Sequence, residues 1–204
     1  MLLGTLTLVN LQRLNTRASA RIAESREVLR EEVVEDHLQS EARDVAAEIG
    51  RYIAERVKDV ELWAADPIVV RSAAEAAVEA NRLGLPARSV AELEERYDAS
   101  RTLGTFSEAT GYLLEQVRAT PAFAELFFTD RNGYTVAASN RPSDFVQTGE
   151  GWWNRAWENG RDVSPVVFND STNLFSTDIA VRIQDSSRRP VGVMKAVLSL
   201  SHVQ

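Results

Sequence analysis

The chain has 204 residues, of which 44% are apolar, so it can bury the core of one substantial domain. Its net charge of −7 argues against a nucleic-acid partner, because binding to a phosphate backbone depends on clustered Lys and Arg. The chain has no Cys and only two His, which excludes disulfides and thiolate metal sites and makes a zinc site or a Ser-His-Asp triad hard to assemble. We therefore predict no metal, no cofactor and no catalytic residue.

The first fourteen residues, MLLGTLTLVNLQRL, carry no charge before Arg13. A bilayer span needs about 20 apolar residues, so this segment is either a buried or fraying helix start or the outer end of a transmembrane helix or signal anchor. We favour the second interpretation, because a charged helix follows with no turn signal between. Residues 1–15 are therefore predicted to be the end of a transmembrane or membrane-proximal helix.

One long helix is predicted over residues 16–64, a segment with a single Gly and no Pro. Its apolar residues recur at steps of three and four and form one stripe: Leu38, Ala42, Val45, Ile49, Ile53, Val57 and Val60. The upstream half has no obvious partner within the chain. We interpret the helix as a signalling and dimerisation element that forms a homodimer; the alternative is a solvated single helix with Glu/Arg pairs.

Three shorter helices are predicted within a helical segment over residues 65–120. Asp66 and Pro67 mark the start of the first, which extends to about Ala80. Two capping boxes, in which a hydroxyl and a Glu three residues later satisfy backbone N–H groups, begin the others over residues 90–102 and 106–119. These boxes are Ser89 with Glu92 and Thr105 with Glu108.

The remaining residues, 121–204, are predicted to form an antiparallel sheet. Asn132-Gly133 between two apolar runs predicts a hairpin whose two central residues have positive φ. A short helix containing Trp152, Trp153 and Trp157 follows the hairpin. Further strands are expected over 162–168, 174–183 and 191–200. The predicted fold is α+β, with the long helix and the helical segment packed on a five-stranded PAS-like sheet.

Six segments of this sheet stand in a specific order and spacing. They are Phe128-Thr129-Asp130-x-x-Gly133, 136–140, Ser143-Asp144-Phe145-x-Gln147, Trp152-Trp153-x-x-Ala156, 178–181 and 191–197. In this order they resemble the Cache family, the extracellular PAS-like sensory domains of chemoreceptors and sensor histidine kinases. The resemblance covers residues 127–200.

The resemblance implies a single Cache domain that binds a small polar molecule, such as an amine, an amino acid or an organic acid. It further implies a domain in the periplasm or extracellular space, linked to the cell membrane by flanking segments and passing ligand occupancy across it. A binding domain rather than an enzyme is expected. Two alternatives stay open: a ligand-free dimerisation module of a membrane receptor, or acid/base chemistry by Asp170 and Asp178.

In Cache domains the helix after the second strand forms one wall of the ligand pocket, so Trp152 or Trp153 is expected to contact the ligand. The two are about 100° apart on the helix, and only one can face the sheet squarely. An indole offers an apolar face that attracts a cation, and one N–H donor. The alternative for either Trp is core packing. Phe127 and Phe168, on the first and third strands, are predicted to line the same pocket.

Ser139, Asn140 and Arg141 follow the second strand beside this helix and are predicted to bind ligand. Arg141 could clamp a carboxylate with its planar guanidinium. It could equally pair with Asp144 or Glu150 at the surface.

Asp170 ends the third strand, where the resemblance implies a carboxylate directed at a ligand amino group; Asn-Asp-Ser is also favourable turn chemistry. Asp178 lies within a strand and could face the pocket or solvent. In the amino-acid-binding branch of the family an Arg precedes the aromatic pair, but here Glu150-Gly151 stands there. An amine or another cationic or neutral polar ligand is therefore favoured over a plain carboxylate.

Overall fold

The computed structural model describes residues 2–100, 107–169 and 174–201. The chain divides into two compact units, Met1–Arg51 and Tyr52–Gln204. Helix α1, Leu2–Ala64, contains the described residues of the first unit and continues into the second. The predicted long helix is thus confirmed, and it ends at the predicted residue. Within the described residues, no helix combines the length and the apolar character needed to cross a membrane.

The part of α1 in the first unit carries large apolar side chains that are half or more exposed: Val33, Val34, Leu38 and Val45. Polar side chains one turn apart bond along it, including Arg43 Nη2 to Gln39 Oε1 at 3.2 Å. The exposed apolar residues are compatible with the predicted homodimer, and the polar pairs are compatible with the alternative of a solvated single helix. The homodimer therefore stays a prediction.

Three shorter helices follow α1: α2, Pro67–Arg82; α3, Val90–Ala99; and α4, Ser107–Ala119. A short 3-10 helix, Leu85–Ala87, separates α2 from α3. Asp66 caps α2 by accepting from the N–H of Ile68 at 2.8 Å, and the capping box of Ser89 and Glu92 is present, as predicted. The predicted box at Thr105 lies outside the described residues. Helix α3 ends three residues earlier than predicted, because Ser100 adopts an extended conformation.

The described residues form a sheet of six strands, and helix α5, Gly151–Asn159, lies between the second and third. The strands are β1 (Phe123–Asp130), β2 (Thr135–Ala138), β3 (Arg161–Val163), β4 (Val167–Asn169), β5 (Leu174–Gln184) and β6 (Pro190–Ser199). Their order is β2-β1-β6-β5-β3, with β4 also paired to β5, and every pairing is antiparallel. The predicted α+β architecture is confirmed.

Two local predictions for the sheet were wrong. The predicted third strand is divided into β3 and β4, because Pro165 stands between them and has no N–H to donate to the ladder. The hairpin turn has positive φ only at Gly133, at 75°, and not at Asn132. The Gly133 N–H donates to the carbonyl of Asp130 and the Asp130 N–H to that of Tyr134, so the loop has three residues and a glycine bulge.

The two faces of the sheet are covered by different helices. Residues that alternate along the central strands, such as Phe128, Ile179 and Met194, are fully buried on one face, which α2 and α4 contact. Helix α5 contacts β3, β5 and β6, and its aromatic side chains lie on the opposite face. The side chains between α5 and the sheet form the candidate site.

Candidate functional site

Helix α5 is fixed over the sheet at two points. Gly160 ends it with φ 92°, and the Arg182 guanidinium of β5 donates to the carbonyls of Trp157 and Glu158 at 2.8 and 3.3 Å. These bonds satisfy carbonyl groups that have no partner inside the helix. Arg155 donates two hydrogen bonds to Asp162 of β3, at 2.8 and 3.0 Å. The side chains under α5 therefore have a defined position relative to the strands.

Trp153 belongs to the core beneath α5. It is 5% exposed, its ring stacks on that of Trp157 with the centroids 5.1 Å apart, and its Nε1 donates to the Thr129 hydroxyl at 2.9 Å. Because this bond uses the single donor of the indole, Trp153 has no N–H to offer a ligand. Of the two readings that the sequence left open for Trp153, the contacts favour core packing.

Trp152 lies at the boundary between this core and charged side chains. The edge-to-face contact with Phe127 has a centroid separation of 5.9 Å, and both residues belong to the buried cluster under α5. The ammonium of Lys195 lies 4.8 Å from the centroid of the Trp152 ring, a cation–π distance. Trp152 is thus the tryptophan placed next to charge.

Three of the charged residues on this same face lie close together, and we call them the Lys195 cluster: Glu125, Asp178 and Lys195. Lys195 Nζ is 2.8 Å from Asp178 Oδ2. The register of the sheet brings the three together. Lys195 of β6 lies between Phe127 of β1 and Ala180 of β5. Val197, the next residue of β6 on this face, lies between Glu125 of β1 and Asp178 of β5.

Glu125 is the unusual member of the Lys195 cluster. It is half-buried, and burial raises the pKa of its carboxyl; nearby Asp178 raises this pKa further, whereas Lys195 lowers it. Among the described residues its carboxylate has no hydrogen-bond partner. A half-buried carboxylate without such a partner can accept a donor from a bound molecule.

Ser139 and Asn140 hold the end of β2 against β1. The Ser139 hydroxyl accepts from the Leu126 N–H at 2.9 Å, and the Asn140 amide donates to the carbonyl of Ala124 at 3.0 Å. Both predicted binding groups are therefore engaged with backbone.

Arg141 is placed differently from either alternative that the sequence offered. Its guanidinium donates to the carbonyls of Ser100 and Tyr97 at 2.6 and 2.5 Å, and it stacks 3.8 Å from the centroid of the Tyr97 ring. Its nearest carboxylate is Asp98, at 3.7 Å, and not Asp144 or Glu150. The partial negative charge at the C-terminus of a helix attracts cations, and Arg141 therefore anchors the end of α3.

Phe168 and Asp170 were predicted at the end of the third strand. Phe168 is 46% exposed and contacts Phe175 across the β4–β5 pair, with ring centroids 5.0 Å apart. Asp170 lies outside the described residues.

The structure thus brings together three of the predicted site residues, Trp152, Phe127 and Asp178, and adds two that the sequence analysis missed. A signal for both existed. Lys195 is a charged residue between Met194 and Ala196 in a predicted strand, and Glu125 is two residues before Phe127, on the same face of β1.

No protein-family model matches the chain, and no curated protein matches it in sequence. Solved structures do match its fold. The sensor domain of the histidine kinase DctB from V. cholerae has a TM-score of 0.52 at 16% identity, covering 82% of this chain and 57% of that one. The ligand-binding domain of the amino acid chemoreceptor PctC from Pseudomonas aeruginosa, in complex with GABA, has a TM-score of 0.54 at 12% identity, covering 83% and 63%.

A third match is the ligand-binding domain of the Pseudomonas fluorescens chemoreceptor CtaA in complex with L-serine, with a TM-score of 0.50 at 15% identity, covering 84% and 62%. This chain therefore spans less than two thirds of the length of each of the three. This chain shares the fold of these sensor and ligand-binding domains, in agreement with the predicted α+β fold.

Proposed function

We propose that this chain, which has the Cache-type sensor fold, is the extracytoplasmic ligand-binding domain of a transmembrane chemoreceptor or histidine kinase. It binds its ligand without chemical conversion. Segments flanking the chain connect it to the membrane, and the domain faces the periplasm or the extracellular space.

The observation that carries this proposal is the Lys195 cluster. Placing three ionisable groups on a helix-covered sheet face costs free energy, and apolar residues of similar size would stabilise the fold as well or better. Such groups are expected where a bound molecule uses them. The cluster lies beside Trp152, the indole that has a cation over its ring.

The charges of the cluster indicate the class of ligand. Two carboxylates, Glu125 and Asp178, face one ammonium, that of Lys195, and the Glu125 carboxylate has no partner among the described residues. A ligand amine adds the missing positive charge and donates to Glu125, while the Trp152 ring supplies an apolar face. We therefore propose a small polar ligand with a cationic amine, and retain Phe168 and Asp170 as further predicted contacts.

Strand β1 offers a route from this site to α1. Glu125 and Phe127 lie on the ligand face of β1, and Phe123, at its start, makes an edge contact with Trp63 of α1 at a centroid distance of 5.0 Å. Ligand binding that shifts β1 would alter this contact and so the packing of α1, in a two-state change.

Dimerisation is a separate part of the proposal. The exposed apolar residues of α1 in the first unit favour a second copy of the same helix as partner. A ligand-free dimerisation module would require this surface alone and would make the Lys195 cluster dispensable.

A thermal-shift screen of amines, amino acids, organic acids and nucleobases tests the proposal. A ligand at a hundred times its dissociation constant stabilises the folded state by about 2.7 kcal/mol, which is readily measured. We expect amines among the hits, with affinity reduced by about tenfold or more in Glu125→Gln and in Asp178→Asn.

Glu115→Gln, an exposed position on α4, is the matched control and should leave the affinity unchanged. If no compound in the broad screen stabilises the domain, or if every hit binds Glu125→Gln and Asp178→Asn as tightly as the unmodified chain, the proposed site is wrong.

A further inference from the structure

A cavity lies between the C-terminal half of α2 and the β1–β2 hairpin. Its volume is about 160 Å³, and it is partly open to solvent. None of its lining residues belongs to the Lys195 cluster or to α5. It is therefore separate from the proposed ligand site.

The walls of this cavity are apolar. Ala76 and Ala80, one turn apart on α2, form one side, and the short side chains leave space between the helix and the hairpin. Tyr134 and Phe145 form the facing side with their rings stacked at 5.3 Å and an interplanar angle of 9°. Leu85 also lines the cavity.

The carboxylates that line this cavity already have partners. Asp130 accepts from the backbone N–H groups of Asn132 and Tyr134 at 2.8 and 3.0 Å, and from the Asn132 side-chain amide at 2.9 Å. The Glu79 carboxylate accepts from two nitrogens of the Arg82 guanidinium, Nε and Nη2. A ligand that required a free carboxylate would find none among these lining residues.

The aromatic wall is held in place by backbone bonds. The Thr135 N–H donates to the carbonyl of Phe145 at 2.9 Å, and the N–H groups of Phe145 and Val146 donate to the Glu94 carboxylate of α3, each at 2.8 Å. Because the wall is fixed at both Tyr134 and Phe145, it cannot readily collapse towards α2 to close the space. The cavity is thus largely formed before any ligand binds.

We propose that this cavity is a binding site for a small, uncharged aromatic molecule of a single ring. Its volume is close to that of the roughly 150 Å³ apolar cavity that binds benzene in an engineered protein. The lining offers aliphatic surface from α2 and an aromatic wall from the hairpin, and the carboxylates of Asp130 and Glu79 give an anionic ligand no compensation for its lost hydration.

Toluene is the probe for this proposal, titrated up to the limit of its solubility and followed by calorimetry and by chemical-shift changes of Tyr134 and Phe145. Toluene should bind, whereas benzoate, of similar size but charged, should not. Ala76→Leu places a larger side chain in the cavity and should reduce toluene affinity by at least about tenfold. Ala74→Leu, exposed on the same helix, should bind as the unmodified chain does.

Far-UV circular dichroism verifies that each variant folds, and Ala80→Val serves as a second filling variant if Ala76→Leu does not. Absence of toluene binding to the unmodified chain, or unchanged affinity in a folded filling variant, overturns the proposal. Glu125→Gln should retain toluene binding, so this test and that of the amine site fail independently.

Discussion

Glu125 is placed where binding and stability make opposite demands. Because burial raises the pKa of its carboxyl above the ordinary value of 4.5, the folded state holds this proton to a higher pH than the unfolded state does. Between the two pKa values the folded state binds more protons, and its stability therefore falls as pH rises through that window. Above this pH window the ionised Glu125 carboxylate lowers the free energy of unfolding, and a bound amine would offset that loss.

Replacing Glu125 with Gln removes this titration. We expect Glu125→Gln to gain stability relative to the unmodified chain as pH rises above 4.5, and to show no such pH-dependent gain below it. Urea unfolding over a pH series measures the difference, with Glu115→Gln as the exposed control. A stability difference that does not vary with pH would mean that the carboxyl is not penalised by burial.

At the scale of elements, α3 and the segment after β2 are joined by reciprocal polar contacts. The Glu94 carboxylate of α3 accepts the two backbone N–H groups of Phe145 and Val146, and Arg141 donates to carbonyls at the end of α3. Both contacts are charge-assisted, which makes them stronger than neutral hydrogen bonds. They hold the chain that leads from β2 to α5.

Glu94→Gln should weaken this junction. An amide supplies one acceptor oxygen where the carboxylate supplies two, and its NH₂ group would face a backbone N–H, so we expect a loss of about 1–3 kcal/mol in the free energy of unfolding. Chemical denaturation measures it. Glu95→Gln, the exposed neighbour on α3, should cost much less; equal losses in the two variants would show that the contacts of Glu94 do not stabilise the fold.

At the scale of the whole molecule, the two units differ in what they bury. The second unit contains the sheet and the core, including Val57, Val60 and Trp63 at the end of α1. The first unit exposes the large apolar residues Val34 and Leu38. A chain that begins at Tyr52 keeps the whole of that core.

We expect the chain from Tyr52 onward to fold alone and to sediment as a monomer, because it lacks the apolar surface proposed for dimerisation. The full chain should sediment as a dimer, and Leu38→Glu with Val45→Glu should convert it to a monomer without loss of helix content. Analytical ultracentrifugation and circular dichroism make the comparison. A dimer that persists without the first unit would place the contact elsewhere.

Local patterns were sufficient to predict most elements. The apolar stripe and the absence of Pro predicted α1, the Ser89 capping box predicted the start of α3, and Asn132-Gly133 located the hairpin. Each depends on residues within a few positions of one another, so the information is contained in a short stretch of chain. Asn132-Gly133 alone predicted the wrong type of hairpin turn; the Asp130 carboxylate, which accepts from the N–H groups of Asn132 and Tyr134, is also local in sequence and was overlooked.

Identifying the residues of the candidate site required the tertiary structure. Glu125 and Lys195 are 70 positions apart in the chain, and only the register of β1 against β6 places both on the face that α5 covers. Likewise, Arg141 binds carbonyls at the end of α3 and not Asp144 or Glu150, the acidic residues near it in sequence. The sequence by itself determined the helices, most of the strands and the α+β class, because these follow from local periodicity. Only the tertiary structure decided which charged side chains lie in contact. This depends on strand register and on the positions of helix ends, and pairing between distant segments leaves no local pattern in the sequence.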